Sequence, residues 1–160
     1  MFFCDQEQKP HLINLLARYQ IQINWVNDDC TIPGTWFGEP EAGLIKSHLY
    51  VRHDTPIHSA LHESCHYICM DSLRRGKLDT NAAGDYAEEN GVCYLQILLA
   101  DELPFMNYTL MMNDMDSWGY SFRLGSAQRW FEEDAEDAQE WLLKHQLINN
   151  HNKPSWKLRQ

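Results

Sequence analysis

The sequence predicts an α+β fold, in which a small β-sheet packs on helices. Residues 21–26 largely alternate apolar and polar side chains, as strands do, and residues 43–52 also have strand character. Residues 57–68 and 85–99 instead repeat apolar side chains at the three- and four-residue spacing of helices. A chain of 160 residues with 44% hydrophobic residues is the size of one domain and can fill one core. The expected organisation is therefore a single domain over residues 1–160.

The elements before residue 57 are predicted in the following order. A helix is expected over residues 8–19, whose apolar stripe consists of Leu12, Leu15, Leu16 and Tyr19. The strand at 21–26 follows, and then a turn-rich segment in which glycine and proline recur between residues 33 and 40. Residues 43–52 form either one strand or a hairpin that turns near residues 46–48.

The elements after residue 70 are predicted to be mainly helical. A loop over 71–84 leads into the helix at 85–99, and a Met-rich segment at 109–115 is expected in the core. A long helix is predicted over 126–147, with an acidic outer face. The polar tail at 151–160 is expected to be frayed.

Residues 62–66 read His-Glu-Ser-Cys-His, an HExxH motif on a predicted helix. The preceding Asp54-Thr55-Pro56 supplies a candidate N-cap and a proline at the first position of this helix. Side chains four positions apart share a helix face, so His62 and His66 can bind one zinc ion while Glu63 lies beside it. The alternative interpretation of the motif is a buried helix with hydrogen-bonded histidines.

A catalytic zinc site normally has three protein ligands and an open position, so a third ligand is expected. Glu88 shares a helix face with Val92, Leu95 and Leu99, and a carboxylate on such a core-facing stripe needs a partner. Zinc would be one such partner. A capping box with Asp85 is another explanation for Glu88. Three further acidic residues remain alternative ligands: Glu89, Asp79 and Asp85.

The HExxH motif, followed by a helix that carries a glutamate, resembles the gluzincin metallopeptidases and, among them, the compact ImmA/IrrE-like domains. The resemblance favours Glu88, which has the small residue Gly91 three positions on, whereas Glu89 has Val92. It implies a zincin-like fold and a zinc ion on His62, His66 and Glu88. The sequence departs from the family pattern at Ser64-Cys65 and at Val92.

The implied function is that of a zinc-dependent peptidase in which Glu63 is the general base for water attack on a carbonyl. The residue that stabilises the oxyanion remains open among His53, His58, Tyr86 and Tyr120. A protein or peptide is the expected substrate, and a regulator protein is a possible partner. Two alternatives are a non-catalytic zinc domain of structural or sensory role and an interaction protein whose motif is accidental.

Charge and cysteine content bear on partners and location. The net charge of −10 disfavours nucleic acid and anionic membranes as partners. The N-terminus lacks the pattern of a signal peptide, and no apolar run has the length of a membrane span, so a cytoplasmic location is expected. The five cysteines include no CxxC pair, which is typical of reduced thiols buried as small hydrophobic residues.

Overall fold

The computed structural model describes all residues from 1 to 160 and has a mixed α+β architecture of seven helices and one three-stranded sheet. The strands are β1 (Gln22–Trp25), β2 (Gly43–Ile45) and β3 (His48–Val51). The helices are α1 (Lys9–Ala17), α2 (Ile57–Cys69), α3 (Ser72–Gly76), α4 (Tyr86–Ala100), α5 (Tyr108–Trp118), α6 (Ala127–Glu133) and α7 (Glu136–Lys144). None of the helices is both long enough and apolar enough to cross a membrane.

The sheet has the order β1-β3-β2. β1 lies parallel to β3, and β2 and β3 form an antiparallel hairpin that turns at Lys46 with φ of 51°. Of the two forms predicted for residues 43–52, one strand or a hairpin, the structure has the hairpin. The outer edge of β2 is already hydrogen-bonded, because the Leu44 amide donates to the Gly34 carbonyl and the Thr80 amide donates to the Leu44 carbonyl.

α2 lies at the centre of the fold, where it packs against the sheet on one side and α4 on the other. Its apolar stripe, with Ile57, Leu61 and Ile68, is fully buried in a continuous core. The predicted cap of this helix is wrong. Asp54 forms a bidentate pair with Arg52, the N-cap position is occupied by Pro56, and no side chain caps the helix.

Two predictions for the C-terminal third also differ from the structure. The helix expected over 126–147 is divided into α6 and α7, because the backbone leaves helical geometry at Asp134 and Ala135, and the Asp134 carboxylate pairs with Arg123. The tail is packed rather than frayed. The Arg159 amide donates to the Ile68 carbonyl at the end of α2, and Trp156 stacks near Tyr19 with a centroid distance of 5.3 Å.

The methionines and cysteines behave largely as predicted. Met111, Met112 and Met115 of α5 are buried in the core. All cysteines are free thiols, and all except Cys30 are buried.

Gly43 holds the segment that precedes β2 against the sheet. A Cβ atom at this position would lie 1.8 Å from the Pro33 carbonyl oxygen and 2.6 Å from the Thr35 amide nitrogen. Both atoms belong to the backbone, so they cannot move aside without displacing the whole segment. The close approach also positions Trp36 and Phe37, which follow directly in the chain.

We expect Gly43→Ala to destabilise the protein by about 2–4 kcal/mol, because backbone must move to admit the methyl group. Thermal and urea unfolding measure the effect. Gly76→Ala is the matched control, since a Cβ at Gly76 meets nothing within 4 Å. Equal stability of the two variants would contradict the tight packing inferred at Gly43.

Candidate metal centre

The two histidines of the motif converge as predicted. They lie one turn apart on α2, and their Nε2 atoms are 3.2 Å apart. His66 is 7% exposed, so its ring is held by the surrounding packing. Two imidazole nitrogens therefore face a common point at the surface of α2.

The carboxylate that joins them is that of Glu89, in the first turn of α4. Glu89 Oε1 lies 3.3 Å from His62 Nε2, and Glu89 Oε2 lies 3.4 Å from His66 Nε2. One ligand atom from each of these three residues lies within 4.8 Å of the other two. His62, His66 and Glu89 therefore form the candidate metal centre.

Glu88, favoured by the sequence as third ligand, is placed elsewhere. Its side chain points into the core side of α4 as the helical stripe predicted, and the residue is only 3% exposed. Its partners are arginines rather than the histidines. Arg74 Nη1 and Nη2 bind the two carboxylate oxygens at 2.7 and 2.9 Å, and Arg159 Nη1 binds Oε2 at 3.2 Å. We therefore replace Glu88 by Glu89 in the candidate ligand set.

The two aspartates considered as alternatives also lie outside the cluster. Asp85 is the N-cap of α4, where its Oδ1 accepts a hydrogen bond from the Glu88 amide at 2.9 Å. Asp79 lies beside Ile45 at the edge of β2, and its Oδ1 accepts from the Thr80 hydroxyl at 2.8 Å. Both carboxylates have a local structural role.

The donor set and its spacing fit a zinc ion. Tetrahedral zinc with bonds of about 2.0–2.1 Å requires ligand atoms about 3.3–3.4 Å apart. The two imidazole Nε2 atoms are 3.2 Å apart, and each lies 3.3 or 3.4 Å from one of the two oxygens of the Glu89 carboxylate. Two imidazole nitrogens and one carboxylate oxygen are also a ligand set that zinc accepts in catalytic sites. No rearrangement of α2 or α4 is needed to bring the ligands together.

A buried glutamine orients His62 for metal binding. Gln96 of α4 is fully buried, and its Nε2 donates to the His58 carbonyl at 3.0 Å. This bond sets the orientation of the amide, so Oε1 is the atom that lies 2.9 Å from His62 Nδ1. Since Oε1 can only accept, Nδ1 carries a proton, and Nε2 is the ring nitrogen that faces the cluster and would bind a metal.

His66 has no corresponding partner. Its Nδ1 is buried without a hydrogen bond. Burial and the neighbouring His62 lower the pKa of His66 to about 4, so this imidazole is neutral at physiological pH. A neutral imidazole is the form that binds a metal.

Glu63 lies where two surface cavities meet. One cavity has a volume of about 230 Å³ and is lined by the three candidate ligands together with Trp36, Phe37 and residues 80–83. The other has a volume of about 360 Å³ and is lined by His62 and Glu89 together with Glu41, Ser59 and residues 118–120. Phe37 and Glu63 line both cavities. The cluster is therefore open to solvent-filled space on the side that Glu63 faces.

The environment of Glu63 adjusts its acidity. The residue is 8% exposed, and burial raises the pKa of its carboxyl to about 7. A carboxyl group with a pKa near neutrality can both accept and release a proton at physiological pH.

The structure separates the four candidates for oxyanion stabilisation. His53 pairs with Asp28 in a different surface cavity, and Tyr86 is 78% exposed. Tyr120 lines the same cavity as Glu63, and its ring lies edge-on to His62 with a centroid distance of 5.4 Å. His58 lies behind Tyr120, with Nδ1 3.3 Å from the tyrosine hydroxyl. Of the four, Tyr120 is the one beside both Glu63 and the metal cluster.

No family model, no curated protein sequence and no solved structure matches the chain. The resemblance to gluzincins therefore depends on the motif residues alone. The structure also changes that resemblance, because Glu89 is followed at the third position by Val92 rather than by a small residue.

Sequence reasoning missed Gln96 and gave Glu89 only as an alternative ligand, although a signal for both roles was present. Gln96 is a polar residue inside a strongly apolar segment, and it follows Glu89 by seven positions. Seven positions are two helical turns, so the two side chains share a face. A polar stripe formed by Glu89 and Gln96 would have predicted Glu89 as the ligand and Gln96 as its buried neighbour.

We expect the purified protein to bind about one zinc ion. We expect Glu89→Ala to weaken zinc binding by more than about 100-fold, because loss of a residue that only hydrogen-bonds a metal ligand already costs about 10–100-fold. Competition with a chelator measures the affinity. Glu88→Ala is the matched variant on the adjacent residue. It should retain the ligands but lose about 1–3 kcal/mol of unfolding free energy, because two arginines lose their buried partner. Zinc loss in Glu88→Ala with full retention in Glu89→Ala would restore Glu88 as the ligand.

We also expect Gln96→Leu to reduce zinc affinity by about 10–100-fold, because His62 loses the acceptor that fixes its tautomer. The same titration, combined with a melting curve, separates this effect from unfolding. Gln139→Leu is the control. Gln139 lies on α7 and donates a hydrogen bond to the hydroxyl of Tyr94, which is on another part of α4 than Gln96. Unchanged zinc affinity in Gln96→Leu would show that His62 does not need this bond.

Proposed function

We propose that this protein is a zinc-dependent hydrolase with a zincin-like active-site helix, and that it cleaves a peptide bond in an extended protein segment. The observation that carries the proposal is the convergence of His62, His66 and Glu89 beside Glu63 at the meeting point of two open cavities. Metal ligands alone would suit a structural site. An acidic residue directed into accessible space next to them is what hydrolysis requires.

The residues that would hold zinc are His62, His66 and Glu89. Zinc bound there would supply Lewis acidity, which polarises a substrate carbonyl and lowers the pKa of water to about 7. The Gln96 bond to His62 keeps the ligand ring in one tautomer, as in metal sites in which the second imidazole nitrogen is hydrogen-bonded.

Glu63 is proposed as the general base. It follows His62 directly in the chain, so α2 directs its carboxylate to one side of the ligand pair. A Glu63 oxygen would accept the proton of the attacking water and later donate a proton to the leaving amine. The pKa of about 7 that burial gives this carboxyl suits both transfers.

Tyr120 is proposed to stabilise the negative charge that develops on the carbonyl oxygen. Burial raises the pKa of its hydroxyl to about 12, so the group remains a hydrogen-bond donor at neutral pH. The hydroxyl group lies 3.3 Å from His58 Nδ1 and 3.5 Å from Gln96 Nε2, so its position is fixed by two buried side chains. A preorganised donor of this kind contributes to catalysis because it needs no reorganisation during the reaction.

A peptide substrate is supported by the shape of the site and by the motif. The two cavities together form a groove on both sides of Glu63, which suits an extended chain. The substrate cannot extend the sheet at Leu44, because both outward backbone groups of that residue are already hydrogen-bonded. Side chains along the groove would therefore provide most of the binding.

We expect Glu63→Gln to keep the zinc content and the Tm of the parent while reducing hydrolysis by at least about 100-fold, because the base is lost and the ligands remain. His66→Ala should lose zinc as well as activity, and His151→Ala, an exposed histidine of the tail, should change neither. The assay is cleavage of an unfolded protein and of a peptide library by zinc-loaded protein. If the parent protein binds zinc but cleaves nothing, and if Glu63→Gln behaves like the parent in every test, the protein is a non-catalytic zinc domain instead.

A further inference from the structure

The groove is asymmetric in charge, and one carboxylate in it has no part in the proposed chemistry. Glu63 and Glu89 line both cavities, whereas Glu41 lines only the larger one. Neither cavity is lined by a lysine or an arginine. Outside the shared residues, the smaller cavity is lined by His66 and by uncharged side chains, namely Trp36, Thr80, Asn81, Ala82 and Ala83.

Glu41 is fixed in place by a neutral partner. Its Oε1 accepts a hydrogen bond from Trp118 Nε1 at 2.9 Å, and its backbone amide donates to the Gly38 carbonyl at 3.1 Å. Neither bond neutralises the charge. The carboxylate therefore presents a negative charge at a defined position on the cavity wall. Burial is the main cause of the raised pKa of Glu63, and the nearby charges of Glu41 and Glu89 also raise it.

We infer that Glu41 selects substrates that carry a positively charged group on the side of the cleaved bond lined by Trp118 and Tyr120. The inference rests on the proposed function, and it adds the substrate class. Glu63 and Glu89 are committed to the base and ligand roles, which leaves Glu41 as the carboxylate available to a cation. An ammonium or guanidinium group placed against it would form an ion pair in a cavity that no lysine or arginine lines.

Two sources can supply such a group, namely a lysine or arginine side chain and the free amino terminus of a peptide. The neutral cavity on the other side would take an apolar side chain against Trp36 and Phe37, which are 58% and 77% exposed. The expected substrate is therefore an extended segment with a cationic group on one side of the cleaved bond and an apolar side chain on the other.

The test measures peptide binding separately from cleavage. Zinc-loaded Glu63→Gln protein, with and without Glu41→Gln, is titrated with labelled peptides that differ at one position, which is lysine, arginine, leucine or glutamate. Each peptide is used with a free and with an acetylated amino terminus. The Glu41→Gln change keeps an oxygen acceptor for Trp118 Nε1 and removes only the charge. Glu140→Gln, on the exposed face of α7, is the control for the change in net charge.

We expect cationic peptides to bind about five- to tenfold more tightly than the leucine peptide, and we expect Glu41→Gln but not Glu140→Gln to abolish that preference. Loss of the preference on acetylation would assign the cation to the amino terminus, and its persistence would assign it to the side chain. An unchanged preference in Glu41→Gln, or no preference in the protein with Glu41 intact, overturns the inference. Cleavage by the parent chain is scored independently, so a selective but inactive protein would refute the hydrolase proposal alone.

Discussion

The packing of α2 against α4 depends on one buried amide, that of Gln96. A fully buried polar group costs free energy unless its hydrogen bonds are made, and Gln96 makes them to the His62 ring and the His58 carbonyl. Both partners belong to α2. A shift of one helix along the other by a single turn would leave all three groups unpaired, so the amide fixes the register of the two helices. Glu89 lies two turns before Gln96 on the same face, and this register places it beside His62 and His66.

Glu88 and Glu89 show how adjacent carboxylates on one helix acquire different roles. Consecutive helical residues differ by about 100° in direction, so only one of the two can face α2. Glu88 turns toward the start of α3 and the C-terminal tail, where Arg74 and Arg159 compensate its charge. The same tail binds the end of α2 through the Arg159 amide. The ion pair therefore holds the beginning of α4 and the end of α2 together, while Glu89 remains without an arginine and is free to take a cation.

The sequence predicted the parts of this structure that depend on local patterns. The helix of the motif, the helix that follows it, β1 and the β2–β3 hairpin were all expected, because their periodicity and turn residues lie within short windows. The buried position of Glu88 was expected for the same reason. Its partner was not, since Arg159 lies 71 positions away and the tail has no pattern that indicates packing. The choice between Glu88 and Glu89 depended on the angle at which α4 meets α2, and helical periodicity alone does not contain that angle.

The closed edge of β2 limits how the proposed hydrolase could bind a peptide. An exposed strand edge can bind a peptide through its backbone with little regard to side chains, and it is also a site of aggregation. Here Gly43 allows the segment that begins at Pro33 to pass so close that Gly34 accepts a hydrogen bond from the Leu44 amide, while the Thr80 amide donates to the Leu44 carbonyl. The same close approach presents Trp36 and Phe37 at the rim of the groove. In the proposed peptidase, recognition would therefore depend on side chains, and the two halves of the groove differ in the side chains that they offer. Such a groove would distinguish peptides by charge, because both halves offer aromatic surface and Glu41 adds an acid to one half alone.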